Sequence, residues 1–335
     1  MKSVESEKSY SLGKFQERRF LVSRYDIKKL LSVILIIIPY IIFNIFTKGR
    51  FMESSNILSI LVHAVVPAFV AWGFCFIFTS GIMDLSIGAI MILACIVSGI
   101  LAIKIGYFGL ILGGILVSFA LEYINLKCMI KTKIPSWVFG LGMAMIYEAI
   151  GALYGASQLK LGKQVVSLGV TARKLGSIPW IIIVLALGLI MAYIIFNRTS
   201  IGFDIRAVGS NREVAKMMGV DVTKAIIRGG LVGSVFIGLA SAINESYAGR
   251  VMPTTGLNSI ALIFIPLAVY LLAQAFEQIF NLTVAVIISS VIVESLFNIL
   301  TILGVPSGTW QQVAVGACVI VCGVLAQRHY KGVVK

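Results

Sequence analysis

The chain has little of what enzymes and soluble domains usually rely on. Only 13% of its 335 residues are charged, 14 are acidic, and histidine occurs twice, at His63 and His329. Two isolated histidines, with no HExxH pair and no Cys–His spacing, provide none of the common zinc motifs. There is no GxSxG elbow and no Walker-type phosphate loop, so the sequence offers neither that nucleophile nor a nucleotide cradle of its own. The five cysteines (Cys75, Cys95, Cys128, Cys318, Cys322) are odd in number and lie in or beside apolar segments. Cys318 and Cys322 stand one helical turn apart, which suits packing rather than a bridge. The polar first 29 residues lack the apolar core and small-residue cleavage site of a signal peptide.

What is present is apolar length. Hydrophobic residues make up 59% of the chain, and its mean hydropathy is +1.00. Runs long enough to cross a bilayer recur throughout, which predicts an all-α polytopic membrane protein. The pattern gives about ten spans: 30–47, 57–79, 84–103, 106–126, 136–156, 178–197, 226–248, 259–277, 279–303 and 309–327. Pro39 is expected to kink the first. The domain reading is a cytoplasmic N-terminal tail (1–29), one membrane domain (30–327) and a cytoplasmic C-terminal tail (328–335). With both termini inside, 20 Lys and Arg fall on the cytoplasmic side and 8 outside, as the positive-inside rule requires. The net charge of +14 therefore reports topology and contact with anionic lipid by the N-terminal tail, not nucleic acid. Glycine pairs at Gly109/Gly113, Gly151/Gly155 and Gly229/Gly233 have the spacing that lets helices approach closely.

Six acidic residues lie in or at the edges of spans: Asp84, Glu122, Glu148, Glu245, Glu277 and Glu294. Such groups are costly in lipid and turn toward the bundle interior or an aqueous path. Glu245 and Glu277 fall near span ends, within reach of water, whereas Glu148 and Glu294 fall deeper. His63 reads as a hydrogen-bonded packing residue. The stretch Ser80–Gly88, SGIMDLSIG, interrupts an apolar run from Ile57 to Ile103, a length of roughly 70 Å as helix against a core of about 30 Å. The run must therefore break there. Gly81 is free to take a turn conformation, and Asp84 can accept from the backbone N–H of Ser86 or Ile87 to start the next helix. Ser80, Asp84 and Ser86 are also path candidates, as are Glu148 and Glu294. Two readings follow, an ion-coupled carrier using Glu148 or Glu294 and a passive pathway driven by a partner.

Residues 198–225, RTSIGFDIRAVGSNREVAKMMGVDVTKA, are more polar than a connector needs. Asn211 or Ser210 can cap a short helix from Arg212, Glu213 sits favourably in its first turn, and Gly219 can close it. A short capped helix at the membrane face suits docking to a soluble subunit.

This loop resembles the coupling loop of ATP-binding cassette importer permeases. Glu213-Val214-Ala215 followed by Gly219 fits their E-x-A-x3-G motif. Thr199 to Asn211 resembles the T-x-x-G-R-x-x-x-A-x-G-x-N stretch of ribose-type permeases, and SGIMDLSIG resembles their GGIDLSVG signature. The resemblance covers nearly the whole chain. It implies a permease subunit that passes a sugar or related small polar solute across the bacterial cytoplasmic membrane. It assigns Gly202, Arg206, Gly209, Asn211, Glu213, Ala215 and Gly219 to contact with the ATPase. Implied partners are cytoplasmic ATPase subunits, a second permease copy or paralogue, and an extracytoplasmic solute-binding protein. The chain itself is then no enzyme and holds no cofactor, with ATP and magnesium in the partner. A nucleoside or branched-chain amino acid permease of the same superfamily is the neighbouring reading. The chain departs from the pattern at Phe203, where the family has arginine, at Ile82, where it has glycine, and in Ile260–Phe280, which contains none of the family's glycine-rich turn.

Overall fold

The computed structural model describes residues 40–166, 168–169, 172–277, 279–305 and 308–327. The two tails, Pro39 and most of the first apolar span lie outside the described residues. The chain divides at Ile57 into a small N-terminal unit and the main body. In the small unit a helical stretch, 40–46, turns back through Lys48 and Gly49, both at positive φ. The ring of Phe51 then packs edge-on against Tyr40 and Phe43.

The helices, in chain order, are α1 (Ser54–Ile77), α2 (Ile87–Thr132), α3 (Ser136–Lys160), α4 (Trp180–Arg198), α5 (Ser200–Ser210), α6 (Arg212–Met217), α7 (Val222–Ala248), α8 (Ala261–Phe276), α9 (Leu282–Ile302) and α10 (Thr309–Gln327). Among the described residues, eight helices are long and apolar enough to cross a membrane, against the ten spans read from the sequence. The first span is largely undescribed, and spans three and four are the two arms of α2, two helices that part at Ile105 and Gly106, where the backbone leaves helical geometry. Gly106, at φ +65°, permits the reversal. Gly109 then lies against the carbonyl of Leu101, and Gly113 within van der Waals reach of Ser98, so the return arm of α2 folds onto its outgoing arm.

Helices α1, α2 and α7 supply most of the buried centre. Phe69, Trp72 and Phe76 of α1 pack with Phe236 of α7, and Phe196 of α4 meets Phe76 edge-on at 5.5 Å. Where these helices touch, side chains are small. A Cβ on Gly233 would come within 2.8 Å of the Gly73 carbonyl oxygen, and one on Gly229 would press on Ile205. The pairs Gly109/Gly113 and Gly229/Gly233 thus sit at close approaches, as does Gly155 against Pro253, whereas a Cβ on Gly151 would make only ordinary contacts. Trp72 Nε1 donates to the Thr283 carbonyl at 2.9 Å, and Ser290 Oγ to the Ala64 carbonyl at 2.6 Å, so α9 is tied to α1 and these two buried donors are satisfied. In contrast α3, α4 and α10 expose large apolar side chains such as Leu153, Leu187 and Ile320.

Between α7 and α8 the chain does not simply turn. Residues 250–257 run irregularly, with Arg250, Met252, Thr255 and Gly256 exposed, Pro253 lying on α3 and the Ser259 carbonyl on Gly88 of α2. The 3-10 turn Asn258–Ile260 leads directly into the 16-residue α8, and together they make one of the eight membrane-length segments.

Candidate functional site

The break between α1 and α2 is where three elements meet. After α1 a 3-10 turn, Phe78–Ser80, is closed by Gly81 at φ +80°. Ser80 Oγ donates to the Ile77 carbonyl at 2.6 Å, so this path candidate is committed to the turn. Asp84 is fully buried, its Oδ1 accepting from the Ser86 backbone N–H at 2.7 Å, the start of α2. Its Oδ2 accepts from Asn125 Nδ2 at 2.9 Å, on the return arm of α2. The same amide nitrogen lies 2.7 Å from Ser86 Oγ, and Asn125 Oδ1 accepts from the Tyr147 hydroxyl of α3 at 2.8 Å. Three residues before Asn125, the Glu122 carboxyl faces that of Asp84. Glu122 is fully buried, and neither of its oxygens finds a donor. From α3, Gly140 completes the enclosure, since a Cβ there would lie 2.7 Å from Asp84 Oδ1. Asp84 and Ser86 were legible as a helix start. Asn125 and Tyr147 were not singled out, and Glu122 was counted among the span acids without a role.

The loop 198–225 is two helices. Gly202 of α5 lies against the Phe196 carbonyl at the end of α4, and Gly209 lies against the Thr79 carbonyl, on the 3-10 turn of the break. In both places a side chain would collide with backbone. Arg206 stays local: its Nε donates to the Gly202 carbonyl at 3.0 Å, and its guanidinium lies over the rings of Phe196 and Phe203 at 5.1 and 4.9 Å. Phe203, where the related motif has arginine, is thus half of an aromatic seat for Arg206. Asn211 Oδ1 accepts from the Glu213 and Val214 N–H groups at 3.0 and 3.1 Å and begins α6. Arg212 Nη2 donates to the Gly81 carbonyl at 3.3 Å. Ala215 is buried, Glu213 is exposed, and Met217 and Met218 are 79% and 77% exposed. Gly219, at φ +86°, ends the helix. Asp221 then caps α7, and its bonds to the Lys224 N–H and ammonium hold its carboxyl below the usual range.

The remaining acids divide. Glu148 Oε1 accepts from the Ser259 N–H at 2.7 Å and Oε2 from the Leu257 N–H at 2.8 Å, so it holds the turn that leads into α8. Glu245, expected within reach of water, is fully buried: its Oε2 accepts from the Val251 N–H at 3.0 Å. Glu294 lies near the middle of α9 and is half-buried. His63 Nε2 lies 3.3 Å from the Tyr247 hydroxyl, and the Cys318 and Cys322 sulfurs are 3.9 Å apart without a bridge. A cavity of about 450 Å³ lined by Lys104, Tyr154, Gln158 and Lys163 lies near the α2 reversal and involves no candidate site residue.

A bundle of membrane-length helices with a broken crossing and a glycine-seated pair of surface helices defines a class, the multi-span permease component of a transport system. Residues 56–323 match the branched-chain amino acid transport system permease component family, and the chain belongs to that family. It is 26% identical to the ribose import permease protein RbsC of Bacillus subtilis over 290 residues, 83% of this chain and 86% of that one. It is 26% identical to the D-allose transport system permease protein AlsC of Escherichia coli over 220 residues, 65% of this chain and 67% of that one. It is 25% identical to the fructose import permease protein FrcC of Rhizobium meliloti over 234 residues, 67% of this chain but only 65% of that one. No solved structure matches the chain. The resemblance carried by the two motifs is thus borne out. Permease subunits of this kind are non-catalytic, with ATP hydrolysis in a separate subunit.

Proposed function

We propose that the chain imports a sugar or related small polar solute across the bacterial cytoplasmic membrane. It works as one of two permease subunits seated on cytoplasmic cassette ATPases, with an extracytoplasmic binding protein delivering the solute. The named relatives are ribose, allose and fructose permeases, which favours a sugar. The chain makes ten crossings with both termini in the cytoplasm, α2 counting as two and span 30–47 as the first. The observation that carries the reading is the seating of α5 and α6 directly on the α1–α2 break, through Gly209 against Thr79 and Arg212 on Gly81. A force applied to the exposed face of α6 therefore reaches the broken crossing within one contact. Nucleotide drives transport if it favours one of the two positions of that unit.

Mild-detergent capture of the tagged chain from its native membrane, with mass spectrometry of what accompanies it, tests the assembly. A cassette ATPase in stoichiometric amount is expected. Recovery of the chain alone, under conditions that keep a known importer intact, overturns the reading. A second, different permease in the capture identifies a heterodimer.

A further inference from the structure

We propose that Asp84 and Glu122 form a proton-binding site, with one proton held between the two carboxyl groups inside the bundle. Both side chains are fully buried. Asn125 bonds Asp84 from the return arm of α2, and Glu122 stands one turn before Asn125 on that arm, which puts its carboxyl on the face that meets Asp84. Asp84 has its acceptor needs met by the Ser86 N–H and the Asn125 amide. Glu122 has no donor for either oxygen. Two ionised carboxylates in contact, away from water, repel strongly, and a buried acceptor without a donor is costly. One proton removes the repulsion and occupies one of the two oxygens: taken from water onto Glu122, it leaves an O–H that donates to the Asp84 carboxylate, and the remaining oxygen becomes a neutral carbonyl, less costly to bury than a charged one. No electron or covalent partner is needed.

The surroundings favour a proton over a metal ion. From the return arm of α2, Asn125 turns its amide nitrogen, a donor, toward Asp84 and Ser86. A cation needs oxygens there. From α3, Tyr147 directs its hydroxyl at Asn125 Oδ1. Cys128 is the other titratable group near that hydroxyl. The charged groups closest along the chain are occupied elsewhere: Lys127 lies over the Tyr123 ring at 5.5 Å, and Arg212 donates to the Gly81 carbonyl. Among the described residues no cluster of three or more Asp, Glu, His or Cys side chains is arranged to hold a metal. The O–H to carboxylate bond ties the return arm of α2 to the break, three residues from the carbonyl that Arg212 holds.

Infrared spectroscopy of the full chain in lipid vesicles reads the proton directly. The wild-type minus Glu122→Gln difference spectrum is expected to contain a protonated carboxylic acid carbonyl band that shifts in D2O. The variant should melt close to wild type, because the glutamine amide donates to Asp84 in place of the O–H. In Asp84→Asn the band should persist and move to higher frequency, since the O–H loses its charged acceptor. If wild type has no such band, or the difference spectrum holds only ionised carboxylate bands, the site does not bind a proton. Thermal stabilisation of wild type by sodium or calcium that Glu122→Gln abolishes would replace the proton with a cation and overturn the proposal.

Discussion

Gly209→Leu is expected to leave a folded, membrane-inserted protein that transports poorly. A Cβ at this position collides with the Thr79 carbonyl, and backbone in a closed 3-10 turn has nowhere to go. Helix α5 must therefore move off the break and take α6 with it. Overpacking of this kind costs about 1–3 kcal/mol, and the same energy spent on a coupling equilibrium is worth about 5–150-fold. The expected readout is solute uptake reduced by about that factor at equal membrane expression. Gly142→Ala is the control, since Gly142 on α3 has nothing within 4 Å of where a Cβ would sit. It should transport as wild type. Normal uptake by Gly209→Leu would show that the contact between α5 and the break does not matter to the cycle.

Glu148→Ala is expected to lower stability severely. The substitution removes the acceptor for two backbone N–H groups, Leu257 and Ser259, at the start of α8. Hydrogen bonds to a charged partner are worth about 1.5–3 kcal/mol each, so the pair represents about 3–6 kcal/mol. That is a large share of a typical folding free energy of about 5–15 kcal/mol. Glu148→Gln retains one carbonyl acceptor and turns an amino group toward the other amide, so its melting temperature should fall between those of wild type and Glu148→Ala. Melting curves in one lipid environment check the order, and equal melting of all three would contradict the assignment.

Much of the site's local geometry was legible in the sequence because it is local. The turn at Gly81, the acceptance of the Ser86 N–H by Asp84 and the capping of α6 by Asn211 each depend on residues within three positions, and spacing alone reports them. The small-residue approaches were legible as well, though not what each glycine faces. Long-range partners were not. Asp84 meets Glu122 and Asn125 only because α2 reverses at Gly106, and the split between spans 84–103 and 106–126, though legible, does not say which residues of the two arms face each other. One signal was present: Glu122 and Asn125, spaced i and i+3, put a carboxyl and an amide on one face of an otherwise apolar helix, a pattern that asks for a polar partner. Glu148 illustrates the same limit. Its depth in the span suggested a path, whereas its partners are backbone amides 109 and 111 positions away, on the turn that leads into α8, and spacing does not report contacts so distant in the chain.

The central claim is that α6 carries the force of ATP hydrolysis into the bundle. It is tested most directly by measuring ATP hydrolysis and solute uptake together in the reconstituted complex, for Ala215→Pro and Glu213→Lys. Ala215 is the buried face of α6 and Glu213 stands exposed in its first turn, so one variant breaks the helix and the other alters the surface it offers. Hydrolysis is expected to continue while uptake is lost, with the chain still inserted and folded. Uptake that stays in wild-type proportion to hydrolysis in both variants would contradict it.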